Sequence, residues 1–162
     1  MWVELGELLH RLRSAHHGKK IVFTNGCFDL IHAGHVDYLE KAKALGDILV
    51  VGLNSDTSVR RLKGEKRPII PQDMRAKVLA SLKPVDYVIL FEEDTPERLI
   101  KAIKPHVLVK GGDWKLNDIV GRDFVESYGG TVVTIPFAYD VSTSKIIEKI
   151  IRLYNNQIGG KG

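Results

Sequence analysis

The sequence predicts an α/β protein in which a five-stranded parallel, Rossmann-like sheet carries helices on both faces. Five short apolar runs alternate with stretches whose apolar residues recur at helical spacing. Such alternation of strands and helices is typical of a parallel sheet that is buried on both sides. Clusters of polar residues and glycines also follow three of the runs, at the strand ends where such sheets bind ligands.

Hydrophobic spacing assigns the elements in the first part of the chain. Leu5, Leu8 and Leu12 recur every three or four residues, which is typical of an amphipathic helix, and Val36 and Leu39 begin a second such pattern. Continuous apolar runs lie before and after the second pattern and are typical of buried strands. In chain order, the predicted elements are helix 2–16, strand 21–25, helix 33–45 and strand 47–53.

Turn and capping residues delimit the elements in the rest of the chain. A connection of about seventeen residues follows the second strand and is longer than most connections, so it is a candidate functional loop. Pro96 stands where the first turn of a helix tolerates proline, and Gly129-Gly130 ends a helix. The predicted elements are helix 72–82, strand 86–91, helix 96–103, strand 106–110, helix 117–128, strand 131–135 and helix 142–156.

The composition is that of an ordinary globular domain. The 162 residues are 44% hydrophobic and 27% charged, and no apolar stretch reaches the roughly eighteen residues that a membrane span needs. Early acidic residues argue against a signal peptide. A single cysteine, Cys27, cannot form an internal disulfide, so a cytoplasmic location is expected. We expect one domain over 1–162, with an N-terminal helix within 1–17 and a frayed tail over 157–162.

The positive net charge does not by itself indicate a nucleic-acid partner. The formal charge is +4, but the basic residues are spread along the chain except for a dense cluster over 60–67. That cluster lies in the predicted long loop with Gly64 and Pro68, without interleaved aromatic residues or a known nucleic-acid motif. Basic loops also bind nucleotide phosphates, so we expect no nucleic-acid function.

Segment 26–35 carries the strongest functional signal. It joins the first strand to the second helix, so His32 and His35 lie at a helix N-terminus, where backbone N–H groups and the helix dipole favour an anion. Their spacing of three residues turns both rings the same way, and Gly34 between them lets a ligand approach the backbone. The pattern predicts a phosphate site. A metal site shared with Cys27 and a merely structural histidine pair are the alternatives that the spacing leaves open.

This segment resembles the signature G-x-F-D-x-x-H-x-G-H of the cytidylyltransferase-like nucleotidyltransferases, which it matches as Gly26-Cys27-Phe28-Asp29-Leu30-Ile31-His32-Ala33-Gly34-His35. Within that family the chain is most similar to the bacterial heptose 1-phosphate adenylyltransferases, which make ADP-heptose for lipopolysaccharide. It has neither a G-x-G-x-x-G run nor a Walker A lysine loop, so neither a dinucleotide dehydrogenase nor a P-loop kinase is indicated. Further matches are Asn54-Ser55-Asp56 and the segments 61–68, 91–96, 109–114 and 142–144.

The resemblance implies that AMP passes from ATP to a sugar 1-phosphate and that pyrophosphate is released. Mg²⁺ is expected to bind mainly through the ATP phosphates, without a metal site built from protein ligands. The expected catalytic residues are His32, His35 and Lys63. The residues expected to bind the nucleotide are Thr24, Asn25, Gly26, Cys27, Phe28, Gly34, Arg67, Ser142, Thr143 and Ser144. Those expected to bind the acceptor are Asp29, Asp56, Lys110, Gly111, Gly112, Asp113 and Trp114.

Two other functions are compatible with these residues. One is nucleotidyl transfer to another phosphate acceptor, either a cofactor precursor or glycerol phosphate with CTP. Related glycerol-phosphate enzymes carry Arg-Thr-Glu-Gly before their Ser-Thr pair, whereas this chain has Phe137-Ala138-Tyr139-Asp140, which disfavours that acceptor. The other is a non-catalytic nucleotide-binding module, against which the intact histidine pair argues. The resemblance also implies a separate kinase that makes the bisphosphate precursor, and it leaves the oligomeric state open, a homo-oligomer included.

Overall fold

A computed structural model describes residues 1–112 and 114–158 and confirms the predicted fold class. Its sheet has five parallel strands in the order β3-β2-β1-β4-β5, namely β1 (Ile21–Gly26), β2 (Ile48–Asn54), β3 (Tyr87–Phe91), β4 (Val107–Gly111) and β5 (Thr131–Ile135). The helices are α1 (Leu5–Arg13), α2 (Ala33–Lys43), α3 (Asp56–Lys63), α4 (Gln72–Ala80), α5 (Glu97–Ile103), α6 (Arg122–Ser127) and α7 (Thr143–Ile158), with a short 3-10 helix at Leu116–Asp118.

The first strand lies at the centre of the sheet, where the order of the strands reverses. In β1, Ile21 pairs with Ile48 of β2 on one side, and Val22 pairs with Val107 of β4 on the other. The chain then builds outward through β2 and β3 in one direction and through β4 and β5 in the other. Because ligands of such sheets bind beyond the carboxyl ends of the strands at this reversal, the end of β1 is the expected location of a site.

Helices cover both faces of the sheet, as the sequence predicts. Alternate residues of a strand point to opposite faces, so Val22 and Phe23 of β1 belong to two separate apolar layers. Leu39 of α2 and Leu79 of α4 pack in the layer that contains Val22, whereas Leu8 of α1 packs with Phe23. The two layers bury β2 along its whole length and β1 over its first four residues, and they hold the ends of these strands in fixed relative positions.

The prediction of a long loop after β2 is wrong for the first half of that segment, because those residues form α3. The hydroxyl of Ser55 accepts a hydrogen bond from the Ser58 amide (3.2 Å) and caps the helix, and Val59 is fully buried. Gly64 ends the helix at a φ of 101°. Basic residues in the last turn of this helix, Arg60, Arg61 and Lys63, are stabilised there by the helix dipole.

Other boundaries differ from the prediction in ways that the contacts explain. The first helix begins at Leu5 rather than at residue 2, because the Val3 amide bonds to the Val88 carbonyl (3.0 Å) beside β3. The predicted helix 117–128 is divided, since Gly121 adopts a φ of 87° before α6. The last helix continues to Ile158 rather than ending at residue 156, and residues 159–162 lie outside the described part. Within the described residues, no helix is long and apolar enough to cross a membrane.

Candidate active site

A cavity of about 700 Å³ opens at the carboxyl end of β1, and most of the predicted site residues line it. Its wall is formed by the end of β1 and the loop that follows it, by the N-termini of α2 and α7, and by the last turn of α3. The predicted residues in its wall are Asn25, Gly26, Cys27, Phe28, Asp29, His32, Gly34, His35, Lys63, Arg67, Lys110, Trp114, Ser142, Thr143 and Ser144.

The two histidines are joined to the backbone at the start of α2. His32 is the N-cap residue, and its Nδ1 accepts a hydrogen bond from the Gly34 amide (3.1 Å). The His32 amide in turn donates to Nδ1 of His35 (3.2 Å). A Cβ on Gly34 would lie 3.0 Å from the His32 ring, so glycine here makes room for the folded-back imidazole. Since both Nδ1 atoms act as acceptors, each neutral ring carries its proton on Nε2.

The environment keeps both imidazoles uncharged at neutral pH. Their rings stack with centroids 3.8 Å apart and planes inclined by 25°. Burial, followed by the neighbouring His32, lowers the pKa of His35 from 6.5 to about 4, and burial also lowers the pKa of His32. The pair therefore offers two N–H donors at a helix N-terminus rather than two cations. Such donors stabilise charge that develops on phosphate oxygens.

Positive charge in the cavity comes instead from three other side chains. Lys63 of α3, Arg67 and Lys110 of β4 all line it, and the Lys110 ammonium lies 5.0 Å from the centroid of the Trp114 ring. Burial lowers the pKa of Lys110, and the nearby charge of Lys63 acts in the same direction. Two cations held close together repel each other, and such a pair is typical of a site that binds a polyanion.

Asp29 lies in the cavity wall, but its carboxylate is engaged in holding another segment. It is 1% exposed and accepts hydrogen bonds from Nε of Arg67 (2.9 Å) and from the amides of Ile69 (2.8 Å) and Ile70 (3.0 Å). Burial acts to raise the pKa of Asp29, but these bonds outweigh it and hold the pKa below its ordinary value. These contacts give the carboxylate a supporting role, and its predicted contact with the acceptor stays a prediction.

Backbone strain is concentrated in the loop that follows β1. Phe28 and Leu30 adopt left-handed conformations with φ of 46° and 51°, although neither is a glycine. Such residues cost about 1 to 3 kcal/mol each and cluster at functional sites. Burial raises the pKa of the Cys27 thiol in the same loop, although Lys63 and other cations oppose it. The thiol is therefore protonated at neutral pH.

Several predicted site residues lie outside the cavity wall. Thr24 is buried, and its hydroxyl pairs with the hydroxyl of Tyr38 (2.5 Å), whose pKa burial raises to about 12. Asp56 accepts from Nη2 of Arg75 (2.8 Å). Gly111 and Gly112 lie beneath the ring of Phe137 and do not line the cavity. Asp113 lies outside the described residues.

In the predicted Ser-Thr-Ser run, one hydroxyl caps α7 and another bonds to the loop after β1. The hydroxyl of Ser142 accepts a hydrogen bond from the Lys145 amide (3.1 Å) and so caps α7. The hydroxyl of Thr143 donates to the carbonyl of Asp29, which ties the start of α7 to the loop after β1. Ser144 completes this edge of the cavity.

The cavity wall also includes residues to which the sequence analysis assigned no role, although Asn54 and residues 94–96 lie in segments that match the family. These residues are Tyr38, Asn54, Leu62, Asp94, Thr95, Pro96, Leu108, Asp118, Ile119, Val120, Phe137 and Val141. Arg75 lies behind the wall, 1% exposed, on the same face of α4 as the buried Ala76 and Leu79. An arginine on the apolar face of a predicted helix is a signal that could have drawn attention to it, because buried arginines need several partners.

The described residues contain no group of three or more histidine, cysteine, aspartate or glutamate side chains placed to hold a metal ion. Two carboxylates of the cavity wall already have partners. Asp29 is bonded to three donors, and Asp94 pairs with Nε of Arg61 (2.8 Å). This donor set suits a metal that arrives bound to phosphates better than one held by the protein alone.

Comparison with known proteins places most of the chain in one family. A family model described as cytidylyltransferase-like matches residues 23–149. The bifunctional protein HldE of Pelobacter propionicus is 62% identical over 138 residues, which are 85% of this chain and 28% of that protein. HldE of Geobacter sulfurreducens is 59% identical over 140 residues, 86% of this chain and 29% of that protein. The chain thus spans less than a third of the length of these relatives.

Solved structures show the same fold. The lipopolysaccharide core biosynthesis protein from Thermoplasma volcanium GSS1 is 32% identical with a TM-score of 0.63, over 76% of this chain and 100% of that chain. Pantoate-beta-alanine ligase from Francisella tularensis, complexed with beta-gamma ATP and beta-alanine, has a TM-score of 0.64 at 16% identity, over 96% of this chain and 78% of that chain. At that identity the likeness concerns the fold alone.

Proposed function

Because the chain belongs to the cytidylyltransferase-like family, we propose that it transfers AMP from ATP to a heptose 1-phosphate and releases pyrophosphate. The observation that carries the proposal is the pair of neutral imidazoles at the N-terminus of α2, facing a cavity with three cations. The similarity to HldE supports the heptose acceptor, and the name of the Thermoplasma volcanium protein supports a place in lipopolysaccharide core synthesis.

In this proposal the chain acts by positioning and by stabilising charge. An oxygen of the acceptor phosphate is already anionic, so it attacks the α-phosphorus without a general base. The bond from the α-phosphorus to the bridging oxygen breaks, and that oxygen leaves with the pyrophosphate. The Nε2–H groups of His32 and His35 donate to α- and β-phosphate oxygens as charge moves onto them, and Lys63 offsets the charge of the leaving group.

The remaining wall residues divide between the two substrates. Backbone N–H groups over 25–28 and the N-terminus of α7 bind the triphosphate. Lys110 and Trp114 border the acceptor. Mg²⁺ arrives with ATP and neutralises its phosphates, and the protein's cations complete that neutralisation. A separate kinase reaction supplies the sugar phosphate, and the reaction takes place in the cytoplasm.

Isotope labelling tests the reaction directly. With ATP, Mg²⁺ and heptose 1-phosphate, label in the α-phosphorus should appear in the sugar nucleotide, and γ label should appear only in pyrophosphate. His35→Ala should lower turnover about a hundredfold, because it removes one donor to the developing charge. Circular dichroism and melting temperature should confirm that this variant is folded.

Parallel reactions identify the acceptor and the nucleotide. ATP and CTP are each offered with heptose 1-phosphate, glycerol 3-phosphate and a phosphorylated cofactor precursor, and pyrophosphate is measured. Appearance of γ label on the sugar would contradict adenylyl transfer. Turnover with only one of the other acceptors would identify that compound, and not heptose 1-phosphate, as the substrate. ATP binding without any turnover would favour a non-catalytic module.

A further inference from the structure

The two strained residues in the loop after β1 share an unusual arrangement. Phe28 and Leu30 have positive φ values of 46° and 51°, and each follows a residue whose carbonyl is bonded to a distant side chain. The Cys27 carbonyl accepts from Nη1 of Arg75 (2.6 Å), and the Asp29 carbonyl accepts from the Thr143 hydroxyl. Left-handed conformations of non-glycine residues persist where the surroundings fix them, and these two bonds supply such restraint.

A bond to a carbonyl also sets the direction of the next amide. The C=O and N–H of a trans peptide point in opposite directions within one plane. Arg75 is buried behind the loop, so it draws the Cys27 carbonyl into the protein. The amide of Phe28 then points away from Arg75, and both Cys27 and Phe28 line the cavity.

Arg75 fits this task because its guanidinium joins several segments at once. Besides Cys27, it donates to the carbonyl of Asn54 at the end of β2 (2.9 Å) and to the carbonyl of Ile70 (2.8 Å). Asp56 balances its charge through Nη2 (2.8 Å). A planar fork of donors reaches these acceptors simultaneously, which the single ammonium group of a lysine does not.

We propose that Arg75 is a positioning residue, which holds the Cys27–Phe28 peptide with its carbonyl inward and its N–H toward the cavity, where that N–H donates to a phosphate oxygen of the nucleotide. The kinetic part of this inference rests on the proposed function, whereas the restraint on the loop does not. A purely structural arginine would change the stability of the whole domain without changing the loop or the kinetics selectively.

The lone cysteine reports on the loop independently of activity. Cys27 is the only cysteine and is partly buried, so its reaction with a disulfide reagent measures how often the loop opens. Arg75→Lys keeps the positive charge near the thiol, and rates measured across pH separate the thiolate fraction from accessibility. In Arg75→Lys, we expect the rate constant for reaction of the Cys27 thiolate, corrected for the thiolate fraction, to rise at least about fivefold. Arg75→Met, which buries no charge, provides a second variant.

Val125→Ala is the matched control, because it removes buried apolar contact from α6 in the layer on the other face of the sheet. The thiol reactivity of Val125→Ala is compared with that of the Arg75 variants. Each protein is measured at the same number of degrees below its own melting temperature. A change in thiol reactivity equal to that of Val125→Ala would overturn the proposal, since the loop would then respond only to global stability.

Kinetics complete the test. Arg75→Lys should lower kcat at least about tenfold and raise the KM for ATP, while the KM for the acceptor stays within about twofold. Unchanged kcat and KM in folded Arg75→Lys and Arg75→Met would also overturn the proposal. If the wild-type chain shows no adenylyl transfer on any acceptor, the proposed function fails, but the thiol measurement still decides whether Arg75 restrains the loop.

Discussion

Protonation of the histidine pair should limit the stability of the fold in acid. Burial lowers the pKa of His35 from 6.5 to about 4, so between these values the unfolded chain binds a proton that the folded chain does not. The free energy of unfolding therefore rises with pH across this interval. The stabilisation is complete above pH 6.5 and is lost as the pH falls toward 4.

The interval sets the size of the effect. At about 1.4 kcal/mol per pH unit, the difference between the two pKa values allows at most about 3 kcal/mol. His35 is partly exposed, and solvent screening reduces the expected loss to about 1 to 2 kcal/mol. His32 adds to it in the same direction, because burial lowers its pKa as well.

Urea denaturation at several pH values between 4 and 8 measures this loss, with His35→Gln as the reference. Glutamine at this position can still accept the hydrogen bond from the His32 amide, as in a capping box, but it does not titrate. The carboxylates common to both proteins cancel in the difference. We expect the difference in unfolding free energy to change by about 1 to 2 kcal/mol between pH 7 and pH 4. Parallel curves for the two proteins would refute the inference that His35 is neutral when folded.

Further substitutions separate residues that support the site from those that face it. Thr24→Val should lower the free energy of unfolding by about 1 to 2 kcal/mol, because the buried Tyr38 hydroxyl loses a hydrogen-bond partner. Turnover should persist, since Thr24 does not line the cavity, and loss of turnover in a folded variant would show that Thr24 acts in the site. Gly112→Ala should cost about 1 to 2 kcal/mol in a thermal melt, chiefly through its φ of 91°, and an unchanged melting temperature would argue against that conformation. Asp56→Ala should lower the melting temperature without raising the KM for the acceptor, whereas a large rise in that KM would restore the predicted acceptor contact.

The fold could be predicted because its signals are local and periodic. Apolar runs mark the five strands, and the spacing of leucines and valines marks most helices. The exception, α3, lies in the segment predicted to be a long loop, although Ser55 and Gly64 carry the signals that begin and end a helix. A strict search for caps would have found that helix.

The candidate site could be predicted only where its contacts lie close together in sequence. His32 and His35 are three residues apart, and their bonds to the start of α2 follow from that spacing. Arg75 bonds to carbonyls of residues 27 and 54, and Asp29 bonds to amides of residues 69 and 70. Such partners are brought together by the packing of the sheet, and no local pattern encodes them.

The direction in which a polar side chain points decides its task, and the motif alone does not reveal that direction. The signature places Asp29 three residues before His32, and both residues line the cavity, yet the Asp29 carboxylate is bonded to Arg67 and to the segment that follows it. Because the imidazoles are neutral, the proposed function needs the positive charge near a triphosphate to come from the other cations of the wall, Lys63, Arg67 and Lys110. Asp29 fixes one of those cations, so under the proposed function it would also influence the charge presented to the nucleotide, while its predicted contact with the acceptor stays a prediction.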